Sequence, residues 1–126
     1  MTGKEYVELA MRTNDGKNLD RLRNATIRSV CSMEDLGGIL NACLGLSGEV
    51  GEFNDMVKKL VFHEKPFDAE HAKKELGDIM WYVAMMCYSF GWDLDEIMQL
   101  NIDKLKARYP AGFDTARANN RAAGDV

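Results

Sequence analysis

Residues 33–62, MEDLGGILNACLGLSGEVGEFNDMVKKLVF, decide the fold of this chain. Apolar side chains recur through the stretch at intervals of three and four, the period of an α-helix, and no proline interrupts it. The stretch also holds five glycines, although each interior glycine costs up to about 1 kcal/mol relative to alanine. We therefore predict one long helix whose glycines mark a close helix approach, a kink, or space for a ligand.

The sequence after this helix predicts two more helices. Asp68 is a good N-cap for a helix that Gly91 closes. Asp93 and Glu96 have the spacing of a capping box and open a further helix that ends near Pro110. No alternation typical of strands is present, so the fold class is all-α.

The first part of the chain carries weaker helix signals. Thr2 and Glu5 form a plausible capping box for a short helix running to about Arg12, and residues 14–18 have the composition of a turn. Residues 19–31 fit either a short helix or an ordered arm. We therefore expect residues 1–35 to be an N-terminal helix or arm, 36–114 the helical domain, and 115–126 a mobile C-terminal tail.

Four acidic residues lie in two short motifs, Glu49-Val50-Gly51-Glu52 and Glu75-Leu76-Gly77-Asp78. Residues three apart share one helix face, with Cβ atoms about 5–6 Å apart, so each pair can hold one ion. Glu75 projects within about 60° of the centre of its helix's apolar stripe, so we expect it to be buried.

A carboxylate that faces an apolar interior must be protonated, paired with a base, or bound to a metal. Few basic residues stand at matching positions, which favours metal. An all-carboxylate site favours a hard cation such as Mg²⁺, for which Mn²⁺ can substitute. A di-iron site would need Glu-x-x-His, and neither His63 nor His71 follows a Glu at that spacing.

A second polar group lies on the last long helix. Asn101, Lys104 and Arg108 project within about 60° of one another. Alone, they would be a solvated surface. Together with the acidic motifs they suggest a polyphosphate–magnesium substrate, because phosphates bound to a divalent cation leave outer oxygens for Lys and Arg.

Composition excludes several classes of function. The 126 residues suffice for one domain, with 46% hydrophobic residues to form a core and a net charge of −4 from scattered charges. Neither polymeric nucleic acid nor a membrane is an expected partner. We expect a soluble, cytoplasmic protein. Cys43 and Cys87 lie on apolar stripes and are expected to be buried small hydrophobes.

These motifs together resemble the MazG-like, all-α nucleoside triphosphate pyrophosphohydrolases. The shared pattern is E-x-x-E, 22 intervening residues, E-x-x-D, then Asn101-x-x-Lys104-Leu105-x-x-Arg108. It covers roughly residues 40–114. The resemblance implies a four-helix-bundle-like module that assembles as a homodimer or homotetramer and cleaves an NTP or dNTP to the monophosphate and pyrophosphate.

The resemblance also implies roles for individual residues. The implied metal ligands and catalytic residues are Glu49, Glu52, Glu75 and Asp78. The implied substrate-binding residues are Asn101, Lys104, Arg108, Tyr82 and Lys59, with Tyr82 either stacking on the base or packing in the core. The hypothesis is Mg²⁺-assisted attack of water in line with departing pyrophosphate, in a protein that clears or adjusts nucleotide pools.

Two alternatives remain open from the sequence. The acidic pairs could be structural salt bridges in a non-enzymatic helical module that mediates interaction or oligomerisation. Within enzymes, a relative specialised for dUTP, dCTP or phosphoribosyl-ATP fits equally well, because the metal motif reports the polyphosphate and not the base.

Overall fold

The computed structural model describes residues 1–28, 33–121 and 124 of the chain. Within these ranges the chain forms helices and no strand. The α-helices are α1 (Gly3–Ala10), α2 (Asn18–Arg28), α3 (Met33–Phe62), α4 (Ala69–Phe90), α5 (Leu94–Arg108) and α6 (Thr115–Asn119), with a 3₁₀ turn at Met11–Thr13. The all-α prediction is confirmed.

The ends of α1 and α4 follow the predicted capping chemistry. Thr2 and Glu5 exchange both hydrogen bonds of a capping box at α1. The Asp68 side chain accepts a hydrogen bond of 3.0 Å from the backbone N–H of His71 at the start of α4. Gly91 closes α4 at a φ of 69°, the left-handed region that a residue without a Cβ enters freely. The local signals therefore set both ends of α4.

Other boundaries differ from the expectations. Asp93 caps α5 through the N–H of Asp95, so the observed cap differs from the predicted pairing with Glu96. Helix α2 occupies most of the segment that fitted either a helix or an arm, while Cys31 lies outside the described residues. In the tail, α6 forms because the Asp114 side chain caps the N–H of Ala116.

Helices α3 and α4 are the one pair of helices in extensive contact among the described residues. They run antiparallel: Gly38 near the start of α3 faces Ser89 near the end of α4, and Gly45 faces Tyr82 further along. The short connection formed by residues 63–68 requires this direction. This pair carries both acidic motifs and forms the framework of the chain.

The glycines of α3 serve two different purposes. A β-carbon at Gly38 or Gly45 would overlap the serine or tyrosine side chain that it faces, so these glycines allow close approach of α4. A β-carbon at Gly48 or Gly51 would meet no atom within 4 Å. The second pair therefore leaves open space beside the first acidic motif. Close helix approach, the first of the three explanations, thus applies at Gly38 and Gly45, while space for a ligand stays a prediction for Gly48 and Gly51.

The buried core of this chain is small. Ala42, Ala72 and Cys87 are buried apolar residues. Burial of Cys87 confirms the expectation for that residue, whereas Cys43 is exposed and the expectation for it is wrong. Residue 43 lies on a face of α3 that no other described helix covers extensively. Large apolar side chains are likewise exposed on both long helices, among them Leu44, Leu76, Met80 and Trp81.

No helix in the described parts of the chain combines the length and apolarity that a membrane span requires.

Substituting Gly45 with alanine tests the close approach of the two long helices. Gly45→Ala is expected to lower the free energy of unfolding by about 1–3 kcal/mol, because the added methyl group overlaps the Tyr82 ring. Gly37→Ala is the matched control: it lies on the same helix, meets nothing within 4 Å, and should be neutral or stabilising by up to about 1 kcal/mol. Urea denaturation measures both. Equal effects of the two substitutions would contradict the packing described.

Candidate metal centre

Three carboxylates from the two acidic motifs come together at the α3–α4 contact. Glu49 and Glu52 lie one turn apart on α3, and Glu75 reaches them from α4. One carboxylate oxygen from each lies within 4.8 Å of the others. The antiparallel register places the second motif opposite the first, so the cluster follows from the same packing that requires Gly45.

Glu75 is the buried member of the cluster. The residue is 9% exposed, as its position on the apolar stripe predicts. Its Oε1 lies 2.6 Å from Nε2 of His71, one turn earlier on α4. Its Oε2 is buried and has no hydrogen-bond partner. A buried polar atom of this kind costs free energy unless a partner is supplied, and an oxygen beside two other carboxylates suits a hard cation.

Glu49 shows the electrostatic strain of the cluster. The pKa of Glu49 is raised above its ordinary value of 4.5, chiefly because the side chain loses hydration and further because the negative charges of Glu52, Asp78 and Glu75 act on it. A side-chain hydrogen bond with Glu75, which favours the protonated form, raises the pKa further. The like charges of Glu49, Glu52 and Glu75, with Asp78 nearby, repel one another and oppose the folded state. A divalent cation would remove this repulsion.

The cluster borders an open cleft of about 440 Å³. The described residues that line it come from α3 and α4, namely Gly48, Gly51, Glu52, Asp55, Met56, Lys59, His71 and Glu75. Lys59 Nζ lies 2.5 Å from Oδ2 of Asp55, one turn earlier on α3. The cleft therefore combines an acidic end with a lysine that a neighbouring carboxylate holds in place.

The part of the sequence that forms the α3–α4 pair and its carboxylate cluster matches a known protein family. The MazG nucleotide pyrophosphohydrolase domain matches residues 39–113, which contain both acidic motifs and most of the α3–α4 pair. The chain belongs to the MazG family. The resemblance seen in the motifs is thereby confirmed, and the family is consistent with a divalent metal at the carboxylate cluster.

The chain is also similar to a curated phage protein. The Gene 37 protein of Mycobacterium phage L5 is 30% identical over 92 residues, which are 70% of this chain and 81% of that protein. No solved structure matches the chain.

Other residues to which the MazG resemblance assigns a role lie outside the carboxylate cluster. Asp78 is exposed and outside the group of three, although its charge acts on Glu49. The Tyr82 ring lies over Gly45 and edge-on to Trp81, with centroids 5.0 Å apart, which favours a packing role. The polar group on α5, comprising Asn101, Lys104 and Arg108, is absent from the described lining of the cleft.

Two residues that contact members of the site, His71 and Asp55, were not predicted as site residues from the sequence. His71 precedes Glu75 by four positions, the spacing at which helix side chains meet. Asp55 precedes Lys59 by the same interval. The interval of one helical turn is therefore the sequence signal for both residues.

Neutralising Glu49 tests the repulsion within the cluster. In metal-free protein at pH 7, Glu49→Gln is expected to raise the melting temperature, because one of the opposing charges is removed. A raised pKa in the folded state means that Glu49 contributes stability below its ordinary value of 4.5 and loses that contribution as pH rises through the folded-state pKa. The advantage of the glutamine variant should therefore shrink as pH falls through the folded-state pKa of Glu49, and should be lost below 4.5.

Thermal melts in a metal chelator across this pH range measure the effect. Glu64→Gln is the control, because Glu64 is an exposed loop residue outside the cluster. An advantage for Glu49→Gln that is the same at all pH values, or no larger than that of the control, would contradict the repulsion.

Proposed function

We propose that this protein is a Mg²⁺-dependent nucleoside triphosphate pyrophosphohydrolase, which converts a (d)NTP and water to a (d)NMP and pyrophosphate. The observation that carries the proposal is the buried, unpartnered Oε2 of Glu75, which lies in a three-carboxylate cluster within a MazG-family domain. A salt-bridged structural module would give that oxygen a basic partner. Clearing or adjusting a nucleotide pool is the proposed role.

The acidic cluster is proposed to hold the metal. Glu49, Glu52 and Glu75 supply the carboxylate oxygens, and Asp78 adds charge from the border of the site. Bound Mg²⁺ would offset the charge of the triphosphate and polarise its bridging bond. Mn²⁺ is a possible substitute, because it prefers the same oxygen ligands.

The chain's own residues would bind and orient the triphosphate around that cluster. Lys59 lies in the same cleft as Glu52 and Glu75, so its ammonium group can contact phosphate oxygens that the metal leaves free. It would exchange its contact with Asp55 for a contact with phosphate. Gly48 and Gly51 leave the room that a polyphosphate requires on this side of α3.

We further propose that the site is completed in a homodimer or homotetramer. Leu44 is 75% exposed and Trp81 is 56% exposed, on the two helices that carry the cluster. Together with Leu76 and Met80, which are also exposed on α4, they give the pair an apolar surface that a second copy could cover. Pairing of two such helix hairpins would make a four-helix bundle, and would allow the α5 group of Asn101, Lys104 and Arg108 to reach phosphate in a neighbouring copy's cleft.

A substrate panel tests the activity and the site together. Incubation with each NTP and dNTP in the presence of Mg²⁺ is expected to yield the monophosphate and pyrophosphate, identified by ion-exchange chromatography. Glu75→Gln is expected to reduce the rate by at least about 100-fold, since even residues that only support metal ligands cost 10–100-fold. Release of orthophosphate, or no product from any nucleotide, would reject the activity.

The control for this variant is Glu70→Gln. Glu70 lies on the same helix, is exposed, and pairs with Lys73 at 2.7 Å, away from the cluster. It should retain the wild-type rate. Full activity in Glu75→Gln, with the reaction itself intact, would reject the assigned metal site and leave the activity standing.

A charge on the exposed face of α3 tests the assembly. Leu44→Lys is expected to convert the oligomer to a monomer, because an ammonium group cannot be buried unpaired in an apolar interface. Leu9→Lys is the control, because Leu9 is 51% exposed on α1, outside the family domain. Sedimentation velocity measures both. A wild-type monomer, or an oligomer unchanged by Leu44→Lys, would contradict the proposed interface.

A further inference from the structure

His71 is fixed beside the buried carboxylate by its place in α4. Its backbone N–H is hydrogen-bonded to the Asp68 cap at 3.0 Å, which anchors the first turn of the helix. Its Nε2 lies 2.6 Å from Oε1 of Glu75. The imidazole side chain is 56% exposed, whereas the Glu75 side chain is 11% exposed. The contact therefore links a group at the mouth of the cleft to a carboxylate inside it.

The hydrogen bond with His71 engages one oxygen of Glu75 and leaves the other without a partner. A carboxylate oxygen accepts, so the imidazole Nε2–H donates to Oε1. The other oxygen, Oε2, is buried without a partner in the same cluster as Glu49 and Glu52. A glutamate side chain that is free to rotate loses conformational entropy when it binds a ligand. The bond to His71 fixes this side chain before any ion arrives.

We propose that His71 is a positioning residue, which holds Glu75 so that Oε2 points into the cation site. This inference deepens the proposed function and rests on the metal site described there. Groups that hydrogen-bond to metal ligands orient them, and their loss typically weakens metal binding 10–100-fold. In this role His71 acts on the ion through Glu75.

An ordinary helix ion pair is the competing explanation for the same contact. Exposed pairs at this spacing contribute little to stability. Glu75, however, is the most buried member of the cluster, and its second oxygen has no other partner. An ion pair that served stability alone would leave metal affinity unchanged when it is removed.

Two amide substitutions at residue 71 separate the explanations. The amide nitrogen of Gln is as many bonds from Cα as the imidazole Nε2, so His71→Gln can still donate to Oε1. The amide of Asn is one bond shorter, so His71→Asn cannot reach. Both variants are uncharged and polar, and they differ only in reach.

Isothermal titration of nucleotide-free protein with Mn²⁺ measures binding directly, without reference to activity. His71→Asn is expected to weaken Mn²⁺ affinity about 10–100-fold, whereas His71→Gln should stay close to wild type. Thermal melts in a chelator should be alike for the three proteins, which shows that any loss is one of ion binding and not of folding.

The outcomes are distinct. Wild-type affinity in His71→Asn would overturn the positioning role while leaving the metal site intact. Equal loss in both variants would also overturn it, since the donor reach would then not matter. If wild-type protein binds no Mn²⁺, the metal site of the proposed function fails, and the positioning role fails with it.

Discussion

Burial of the Glu75 carboxylate is the constraint on which the rest of the structure depends. Helix α4 places this side chain inside the contact with α3, and the structure gives a partner to one oxygen and none to the other. A buried polar atom that has no hydrogen-bond partner costs about 1–3 kcal/mol. The same packing brings the carboxylates of Glu49 and Glu52 close to Glu75, and repulsion between the like charges adds to this cost. A divalent cation would offset both the lost hydration and the mutual repulsion, which is the physical basis of the proposed ion-binding site.

The close packing of α3 on α4 is what brings these carboxylates together. Glycine at positions 38 and 45 removes the side chains that would hold the helices apart, and the Tyr82 ring occupies the space at Gly45. Little apolar surface is buried in the part of the chain that the structure describes, where the buried apolar residues are Ala42, Ala72 and Cys87. A core of this size is a poor basis for an independent monomer. The geometry that makes the cluster thus also leaves the apolar outer faces that the proposed assembly would cover.

Local signals in the sequence were sufficient for the helices. A proline-free apolar period predicted α3, and the Asp68 and Gly91 caps set α4, because each depends on residues a few positions apart. Burial of Glu75 was also predictable, since its angle to the apolar stripe is fixed within one helix. The exposure of Cys43 was not, because it depends on which faces other elements cover. The same reason explains why Asp78 lies outside the group of three and why the α5 polar residues are absent from the described lining of the cleft. The angle of a side chain around its own helix predicts its direction but not its distance from residues on another helix.

The most direct test of the central claim is the position of a bound ion. Crystals grown with Mn²⁺ and measured at its absorption edge would locate the metal by anomalous scattering. The account predicts a peak at coordination distance, about 2.2 Å, from Oε2 of Glu75 and from carboxylate oxygens of Glu49 and Glu52. A map with no peak at these oxygens at saturating Mn²⁺, or with a Lys or Arg nitrogen paired to Oε2 of Glu75 in its place, would contradict it.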